Sequence, residues 1–329
     1  MGNTKAVSVI VPVFNAGANL ERSLRSLMNQ TLENLEIIVV NDDSTDNSAE
    51  IIEQLSLEDN RIVSIHLPIN QGAHEARLAG IKKASAFWIG FLDADDFARP
   101  KMYEVMNKAA IMNNADIVIC GSYRVDNQRK PIEPKIRFKR NQEITSEPLK
   151  RFCSFQFGTG MLWNKLYHRD IILPCANMHF PWRQNINEDL LLNIGCFYRT
   201  KTIYLMKEIL HDYFFNESSI TSTIIKTKAY VDTYRAYAIA VSLFAELGES
   251  TLENITNMYR KQLSWECYRI DNLEELANHK KELNEATELI HKTCPLALAL
   301  LASRCDPQPL SVRKAIAQVV RKYNYLFQV

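Results

Sequence analysis

Carboxylate and carboxamide side chains follow two strand-like runs in the first third of the chain. The run that ends at Val40 is followed by NDDSTD over residues 41–46, and the run that ends at Leu92 is followed by DADD over residues 93–96. Carboxylates gathered in one crevice repel one another unless a cation lies among them. A divalent ion with hard oxygen ligands removes that repulsion and also binds a diphosphate. The pattern therefore predicts a metal-assisted site for a phosphorylated ligand.

Each acidic segment also has an interpretation without chemistry. Residues 42–46 suit the turn that opens a helix, because serine, threonine and aspartate are preferred at helix N-termini. Residues 93–96 suit a solvated turn before Pro100, but carboxylates directly after the apolar pair Phe91 and Leu92 favour a metal site. Spacing alone leaves the first segment open between the two interpretations.

Glycine-rich phosphate-binding motifs are absent from the sequence. After Phe14 the chain continues NAGANL, with one glycine where a dinucleotide-binding fingerprint needs several. No segment of the form GxxxxGKS or GxxxxGKT occurs either. This absence argues strongly against a protein that binds nicotinamide dinucleotides and against a P-loop protein.

The elements that must position these residues alternate between strand and helix patterns, which is typical of a parallel α/β sheet. The predicted strands are Val7 to Phe14, Glu36 to Val40, Arg61 to Leu67, Phe87 to Leu92 and Asp116 to Tyr123. The predicted helices are Asn19 to Asn29, Asp46 to Leu55, Ala73 to Ala84 and Pro100 to Asn113. In such a sheet the carboxyl ends of the strands line one crevice, so the two acidic segments should converge.

The pattern changes after the last of these strands. Residues 127–147 form a basic, proline-containing stretch that predicts a loop or an edge structure, with mobility as a further expectation. Later segments predict strands at Trp163 to Tyr167, Thr202 to Leu205 and His211 to Phe215, a helix from about Glu188, and helices from Lys226 onward. In that helical region, apolar and aromatic residues at helical spacing form one stripe, which predicts packing in the core. The stripe consists of Tyr230, Tyr234, Tyr237, Val241 and Phe244.

Bulk composition limits the protein classes. The 329 residues carry a formal net charge of +1, so no general attraction for nucleic acid is expected. The chain has seven cysteines, an odd number, and none of them forms a CxxC pair. This pattern favours reduced thiols over a disulfide framework or a zinc site. No window is long and apolar enough to span a bilayer, and the N-terminus lacks a signal-peptide pattern. We therefore expect a cytoplasmic protein.

Several segments, in order and spacing, resemble the family 2 glycosyltransferases with the GT-A fold. They are VPVFN at 11–15, VNDDSTD at 40–46, NQG at 70–72 with Ala76 and Arg77, and FLDADD at 91–96. The resemblance covers residues 6–125 and resumes at 163–167, 187–189 and 211–221. It implies an α/β fold with a mainly parallel nucleotide-binding sheet flanked by helices, and a helical C-terminal extension. It also implies sugar transfer from a nucleotide-diphosphate sugar, with UDP favoured, in cell-surface polysaccharide or lipopolysaccharide synthesis.

The resemblance assigns donor binding to Pro12, Val13, Phe14, Asn15, Asp42, Arg77, Asp93 and Ala94. Asp42 would accept hydrogen bonds from the edge of a uracil-like base, and Asp93 would face the ribose or the sugar. Asp95 would ligate the Mg²⁺ or Mn²⁺ ion that bridges the diphosphate, where the ion stabilises charge on the leaving group. His211 is a further candidate ligand because neutral imidazole binds metals, although a lone histidine at a strand end is more often structural.

The acceptor side is assigned to Trp163, Lys165, Glu188 and Asp189. Asp189 would be the base that takes the acceptor proton during a direct attack with inversion, although residues 187–189 also suit a helix cap. Lys165 is either a surface lysine beside a partly buried Trp163 or a cation that reaches the acceptor or a phosphate, and the resemblance favours the second. The acceptor itself would be a glycan or a lipid-linked molecule.

Two positions depart from the family pattern. Asp43 stands where glycine is usual, which bears on the base that is bound. Leu78 stands where asparagine is usual, which bears on packing beneath the donor. Neither departure removes a group that performs chemistry.

The resemblance and the patterns together predict the domains. Residues 1–225 would form the GT-A catalytic domain, with a donor-binding part at 1–125 and an acceptor part at 126–225, and residues 226–329 a helical region. Near the C-terminus, Arg313, Lys314, Arg321 and Lys322 alternate with apolar residues. Such a helix either lies on the inner face of an anionic membrane or packs on the catalytic domain.

Two other functions compete with sugar transfer. Nucleotidyl transfer also uses paired aspartates and a metal, but it would need a basic, glycine-rich loop that residues 14–20 lack. A sugar-nucleotide-binding module without turnover is the second alternative, and a test for released nucleoside diphosphate separates it from an enzyme.

Overall fold

The computed structural model describes residues 5–215, 225–265 and 274–303. The predictions at Ser218 to Thr221 and in the basic C-terminal segment that contains Arg313 and Arg321 fall outside these residues. The chain divides into two compact units. The first contains residues 1–148, 157–179 and 192–216, and the second contains residues 149–156, 180–191 and 217–329.

The first unit is built on a sheet that begins with four parallel strands. They are β1 (Val7–Val13), β2 (Leu35–Asn41), β3 (Ile62–His66) and β4 (Trp88–Phe91), in the spatial order β3-β2-β1-β4. Every residue of β2 and β4 is buried. Continuous buried runs are typical of parallel strands that helices cover on both faces. The predicted α/β fold class is confirmed.

Helices follow these strands close to the predicted positions. They are α1 (Gly17–Met28), α2 (Ser48–Glu58), α3 (Ala73–Lys83) and α4 (Met102–Met112). The helical spacing of Leu20, Leu24 and Leu27 places all three in the core beneath the sheet. The strand-to-helix connections between these elements carry the candidate site.

Beyond β4 the sheet is mixed, in the order β4-β9-β6-β10-β5. Here β6 (Ile117–Val125) and β10 (Ile203–Phe214) are parallel, whereas β9 (Lys165–His168) runs antiparallel to both β4 and β6. The short strand β5 (Phe97–Ala98) is antiparallel to β10. The sequence could not predict this mixture, because an apolar pattern identifies a strand but not its direction.

Two edge strands occupy the stretch predicted to be a loop or an edge structure. Strand β7 (Pro131–Ile136) pairs with β6, and β8 (Gln142–Ile144) pairs with β10, both antiparallel. The first four residues of β7 are exposed. The basic and proline residues of this stretch suit an edge, where they discourage pairing with other chains.

The two strands predicted at residues 202–205 and 211–215 are one strand, β10. Register shifts against β6 occur between Leu205 and Ile209 and between Ile209 and His211. An irregular register lets one strand continue across a polar interruption. The polar residues Lys207 and Glu208 lie between the two predicted segments.

The second unit is helical where it is described beyond residue 225. Its helices are α8 (Lys226–Phe244), α9 (Glu249–Leu263), α10 (Glu274–Ala277), α11 (Lys280–Thr293) and α12 (Pro295–Ser303). The predicted stripe on α8 is buried throughout. Its tyrosine hydroxyls form hydrogen bonds inside the unit, from Tyr237 to the Ala297 carbonyl at 2.9 Å and between Tyr234 and Thr287 at 2.9 Å. The prediction of core packing is confirmed.

Three short or connecting helices complete the description: α5 (Pro148–Cys153), α6 (Arg169–Ile172) and α7 (Glu188–Arg199). Residues 149–156 and 180–191 cluster with the C-terminal helices, although the predicted catalytic domain had included them. Among the described residues, no helix is long and apolar enough to span a bilayer.

Candidate functional site

The loops after β1 and β2 are joined to each other by hydrogen bonds. The Asn15 side-chain oxygen accepts from the Thr45 backbone N–H at 2.8 Å, and the Asn15 backbone N–H donates to Ser44 Oγ at 3.0 Å. Asn15 and Asp43 both have left-handed backbones, with φ of 50° and 57°. Asparagine and aspartate tolerate that region better than most residues, so the interlocked shape is compatible with Asp43 in place of glycine.

Asp46 links the starts of two helices. Its carboxylate accepts from the Gly17 backbone N–H at 2.9 Å and from the Ser48 backbone N–H at 3.0 Å, at the starts of α1 and α2. Burial by itself raises the pKa of this carboxyl, but hydrogen bonds from Ser48 and Gly17 outweigh burial and lower the pKa. The helix-opening interpretation of residues 42–46 is therefore confirmed for Asp46.

Asp42 fixes the loop that precedes α3. Its side chain is buried, and its two oxygens accept from the Gln71 N–H at 2.8 Å and the Gly72 N–H at 2.7 Å. The Asn70 side chain donates to the Asp42 carbonyl at 2.9 Å. Each carboxylate oxygen has a further lone pair, so its contact with a base stays a prediction beside this structural role.

Arg77, in the interior of α3, forms an ion pair with Asp93, which follows β4. Arg77 is buried, and its Nη2 lies 3.3 Å from Asp93 Oδ1. The Asp93 carbonyl accepts from the Asp96 N–H at 3.0 Å, which closes the turn, and from Ser23 Oγ at 3.2 Å. The acidic turn is thus held by α1 and α3 together.

Asp95 is a carboxylate of this turn whose surroundings disfavour its charge. Burial, followed by the charges of Asp96 and Asp93, raises its pKa to about 7. A cation beside it would favour the ionised form and relieve the repulsion. The described residues contain no cluster of three or more potential ligands for a metal. Mg²⁺ that is held by one or two carboxylates and by substrate phosphates needs no such cluster, so this turn fits the predicted ion.

Asp96 pairs with His211 beneath the turn. Asp96 accepts from the Phe214 N–H at 2.8 Å, and its other oxygen lies 3.3 Å from His211 Nε2. Burial lowers the pKa of His211 to about 3, and burial together with Asp93 raises the pKa of Asp96 well above its usual range. Both shifts have burial as their largest cause, and both disfavour charges on this pair.

This pairing bears on the predicted role of His211. Its Nδ1 lies 3.1 Å from Ser122 Oγ, and its Nε2 faces Asp96 and not the predicted metal ligand Asp95. Metal ligation by His211 stays a prediction. Sequence reasoning had not singled out Asp96, although a third aspartate directly before buried Phe97 was a signal that it points inward.

Trp163 and Lys165 lie in the interior of the first unit. The Trp163 indole stacks on the His211 ring, with centroids 4.1 Å apart, and on the Tyr213 ring at 5.9 Å. Lys165 is fully buried; its ammonium donates to the Asn164 side-chain oxygen at 2.9 Å and to the Met161 carbonyl. The surface alternative for Lys165 is therefore wrong. Its contact with an acceptor or phosphate stays a prediction that no described contact supports.

Glu188 and Asp189 begin α7 and belong to the second unit. Asn187, directly before them, has φ of 65°. Its side chain donates to Thr233 Oγ1 at 3.2 Å and accepts from Gln262 at 3.0 Å. Helices α8 and α9 thus fix the residue that precedes Glu188 and Asp189. Asp189 is half-buried, and the role of Asp189 as a base stays a prediction.

Comparison with known proteins identifies relatives of the chain. Residues 8–173 match the sequence profile described as "Glycosyl transferase family 2". The chain is 32% identical over 246 residues to "Uncharacterized glycosyltransferase EpsJ" of Bacillus subtilis (strain 168), which covers 74% of this chain and 70% of that protein. It is 26% identical over 270 residues to "Cholesterol galactosyltransferase" of Borreliella burgdorferi, which covers 78% of this chain and 71% of that protein.

Solved structures share the fold. The S. aureus TarS 1–349 structure in complex with UDP superposes with a TM-score of 0.69 at 19% identity, and covers 96% of this chain and 87% of that one. The same protein in complex with UDP-GlcNAc gives a TM-score of 0.69 at 20% identity, with 96% and 88% coverage. At this identity the likeness concerns the fold alone.

The mixed sheet with its flanking helices defines a fold of the GT-A type. The profile match covers half of the chain, and the similarity to EpsJ extends over most of both proteins. The chain belongs to glycosyltransferase family 2.

Proposed function

We propose that this glycosyltransferase moves a sugar from a UDP-sugar to an acceptor hydroxyl with inversion, with a divalent cation at Asp95. The observation that carries the proposal is the acidic turn of residues 93–96 at the carboxyl end of β4, where Asp95 has a pKa of about 7. In a parallel sheet this edge is where nucleotides bind. The TarS structures with UDP and UDP-GlcNAc, which have the same fold, support the choice of nucleotide.

The donor would lie on the loops that the structure joins at this edge. Pro12 to Asn15 border the base and ribose, and the hydrogen bonds between Asn15 and Thr45 keep their loop in place. Asp42 orders the loop before α3. Arg77, which lies on α3, forms an ion pair with Asp93. Asp93 and Ala94 then face the ribose or the sugar.

A bound Mg²⁺ or Mn²⁺ would stabilise the negative charge that develops on the departing diphosphate. The residues around Asp95 hold this carboxylate where the ion would bind. The buried pair of Asp96 and His211 fixes the inner side of the turn. The Asp95 carboxylate is left with two acidic neighbours and no cation of its own among the described ion pairs.

Asp189 would accept the proton of the attacking hydroxyl, because a carboxylate on the acceptor side can act as general base. A single displacement of this kind inverts the anomeric centre. The proposed setting is the assembly of cell-surface polysaccharide or lipopolysaccharide at the cytoplasmic face of a membrane, with a glycan or lipid-linked acceptor. One relative, named a cholesterol galactosyltransferase, supports a lipid as the kind of acceptor.

The central experiment measures UDP released from UDP-sugars with Mn²⁺ and with a chelator. We expect Asp95→Asn to lower metal-dependent transfer by about a hundredfold or more, because it removes the proposed ligand of the ion. Asp170→Asn is the matched control, since the Asp170 side chain is 84% exposed in the same unit. Equal rates for wild type and Asp95→Asn would contradict the metal assignment.

The base is tested separately. We expect Asp189→Asn to keep the affinity for UDP while transfer falls by about a hundredfold or more. An unchanged transfer rate in this variant would show that another group takes the proton. A wild-type protein that binds UDP-sugars and never releases UDP would instead be the binding module without turnover.

Membrane contact is a separate part of the proposal. Deletion of the chain after about Pro309 should lower the fraction of protein that floats with anionic vesicles, because it removes the basic segment. For the full chain, the fraction that floats with the vesicles should be lower at high salt than at low salt. Equal partitioning of both proteins would remove membrane binding by this segment.

A further inference from the structure

Lys135 lies on the edge strand β7 and is partly buried. Its ammonium nitrogen is 3.8 Å from the centre of the Tyr213 ring, which is a cation–π contact. Strand β7 holds this position through its pairing with β6, in which Pro134 lies opposite Tyr123 and Ile136 opposite Ser122. The lysine is therefore fixed over a ring of the central sheet.

Tyr213 connects this lysine to the acidic turn. The next residue, Phe214, donates its backbone N–H to Asp96 at 2.8 Å. The Trp163 indole stacks on the Tyr213 ring and on the His211 ring, and His211 Nε2 lies 3.3 Å from Asp96 of the acidic turn. The Lys135 ammonium thus stands beside the turn that carries Asp95.

The arginines around Lys135 already have acidic partners. Arg124 pairs with Glu133 at 2.9 Å. Arg99 and Arg129 both pair with Asp212, at 2.7 and 3.2 Å. Among the ion pairs of residues 5–215, 225–265 and 274–303, none involves Lys135.

The surroundings of Lys135 disfavour its charge. Burial, followed by the charge of Arg124, lowers its pKa, although Asp96 and Glu133 act in the opposite direction. A partly desolvated ammonium whose one close contact is a ring gains free energy when an anionic oxygen binds to it. Exposed lysines of the same segment, such as Lys130 and Lys139, are better solvated and gain less.

We propose that Lys135, seated on Tyr213, binds a phosphate oxygen of the substrate beside Asp95. The inference rests on the proposed function, because it needs a diphosphate at the acidic turn. The donor diphosphate is the favoured source, since Asp95 would hold its metal ion within the same cluster of charges. A phosphate group of the acceptor is the second source of the same chemistry. Lys135 would then select phosphorylated ligands and contact the group that leaves.

The test compares three variants of the full chain. Lys135→Met removes the charge and keeps an unbranched apolar side chain on Tyr213, and Lys135→Arg keeps the charge. Lys130→Met is the matched control, because Lys130 is exposed in the turn that precedes β7. Calorimetric titrations with uridine, UMP and UDP, each with Mn²⁺, measure how much of the affinity depends on the phosphates.

We expect Lys135→Met to weaken UDP binding by about ten- to a hundredfold, since hydrogen bonds to charged groups contribute about 1.5–3 kcal/mol. Its affinity for uridine should match that of the wild type. Lys135→Arg should recover most of the UDP affinity, and Lys130→Met should lose none. The uridine measurement also detects a variant that has not folded, because such a protein would lose uridine binding as well.

The outcomes separate the two phosphate sources and the two proposals. Unchanged UDP affinity with a raised KM for a phosphorylated acceptor, and an unchanged KM for a neutral one, would assign Lys135 to the acceptor phosphate. Unchanged values for both substrates would overturn the Lys135 assignment alone. A wild-type protein that fails to bind UDP would contradict the proposed function itself.

Discussion

Asp42 illustrates how a residue expected to bind a ligand also builds the loop around it. Both of its oxygens accept backbone N–H groups, from Gln71 and Gly72, and its side chain is buried. An asparagine at this position would offer one oxygen and would turn an N–H group toward a backbone N–H. One buried donor would lose its partner.

We therefore expect Asp42→Asn to lower the free energy of unfolding by about 1–3 kcal/mol. Chemical denaturation followed by circular dichroism measures the loss. Asp43→Asn is the matched control, because Asp43 is exposed and asparagine tolerates its left-handed backbone. Equal stability of both variants would mean that the Asp42 carboxylate does not hold the loop.

His74 is a second residue whose environment has a measurable consequence. It is buried on α3, and its Nε2 lies 2.6 Å from the Met178 carbonyl oxygen. Burial lowers its pKa from 6.5 to about 4. Near neutral pH the ring is uncharged and Nε2 is the donor. The neighbouring segment is also held by a hydrogen bond between His179 Nδ1 and the Glu75 carboxylate at 2.9 Å.

The pKa of His74 predicts a loss of stability in acid. Between pH 6.5 and about 4 the unfolded imidazole binds a proton and the folded one does not, so the free energy of unfolding falls as the pH falls. The full effect is about 3 kcal/mol. His74→Gln retains a donor near the Nε2 position and should show a smaller difference between denaturation curves at neutral and acidic pH. Parallel pH dependence of the two proteins would argue against this assignment.

At the scale of elements, α3 packs against β1 through a glycine. A Cβ atom added at Gly80 would lie 2.4 Å from Ile10 Cγ2, inside a buried strand. A helix interior by itself favours alanine over glycine by about 1 kcal/mol. Overpacking of a core acts in the opposite direction by about 1–3 kcal/mol. The close approach of helix and strand should therefore decide whether Gly80→Ala raises or lowers the free energy of unfolding.

We predict that Gly80→Ala lowers the midpoint of urea unfolding in spite of its helix propensity. The double variant Ile10→Ala/Gly80→Ala should lose less stability than the sum of the two single variants, because the smaller strand residue makes room for the new methyl group. Additive losses would show that the two residues do not share this contact.

Sequence patterns predicted the early elements well because each has a distinct periodicity. Strands β1 to β4 and helices α1 to α4 were predicted within a few residues. Strand β10 was predicted as two pieces, since its register shifts depend on pairing with β6 and leave no local signal. The direction of β9, which separates β4 from β6, was equally absent from the pattern.

For the whole molecule, ligand binding should order one edge of the first unit. A ligand that binds only the folded protein stabilises it by about 2.7 kcal/mol when present at about a hundred times its dissociation constant. With UDP and Mn²⁺ we expect a higher thermal midpoint. Amide hydrogen exchange should slow at residues 12–17, 41–47, 70–77 and 93–96, which form the joined loops of that edge.

The pattern of protection distinguishes this edge from other binding modes. Amides of β8 and α6, neither of which belongs to the joined loops, serve as internal controls in the same unit. Their exchange rates should change only as much as the higher global stability requires. Uniform protection throughout the unit would indicate a global effect without a local nucleotide site.

The sequence by itself determined the α/β class, the acidic turn and the family, because these depend on local periodicity and on residue types in a fixed order. Tertiary structure alone decided that Lys165 is buried, that Asp96 faces His211 and that Lys135 lies on Tyr213. Those outcomes depend on which distant strands become neighbours. A side chain's partner, and with it its charge state, is set by contacts between residues tens of positions apart, and no local pattern encodes them.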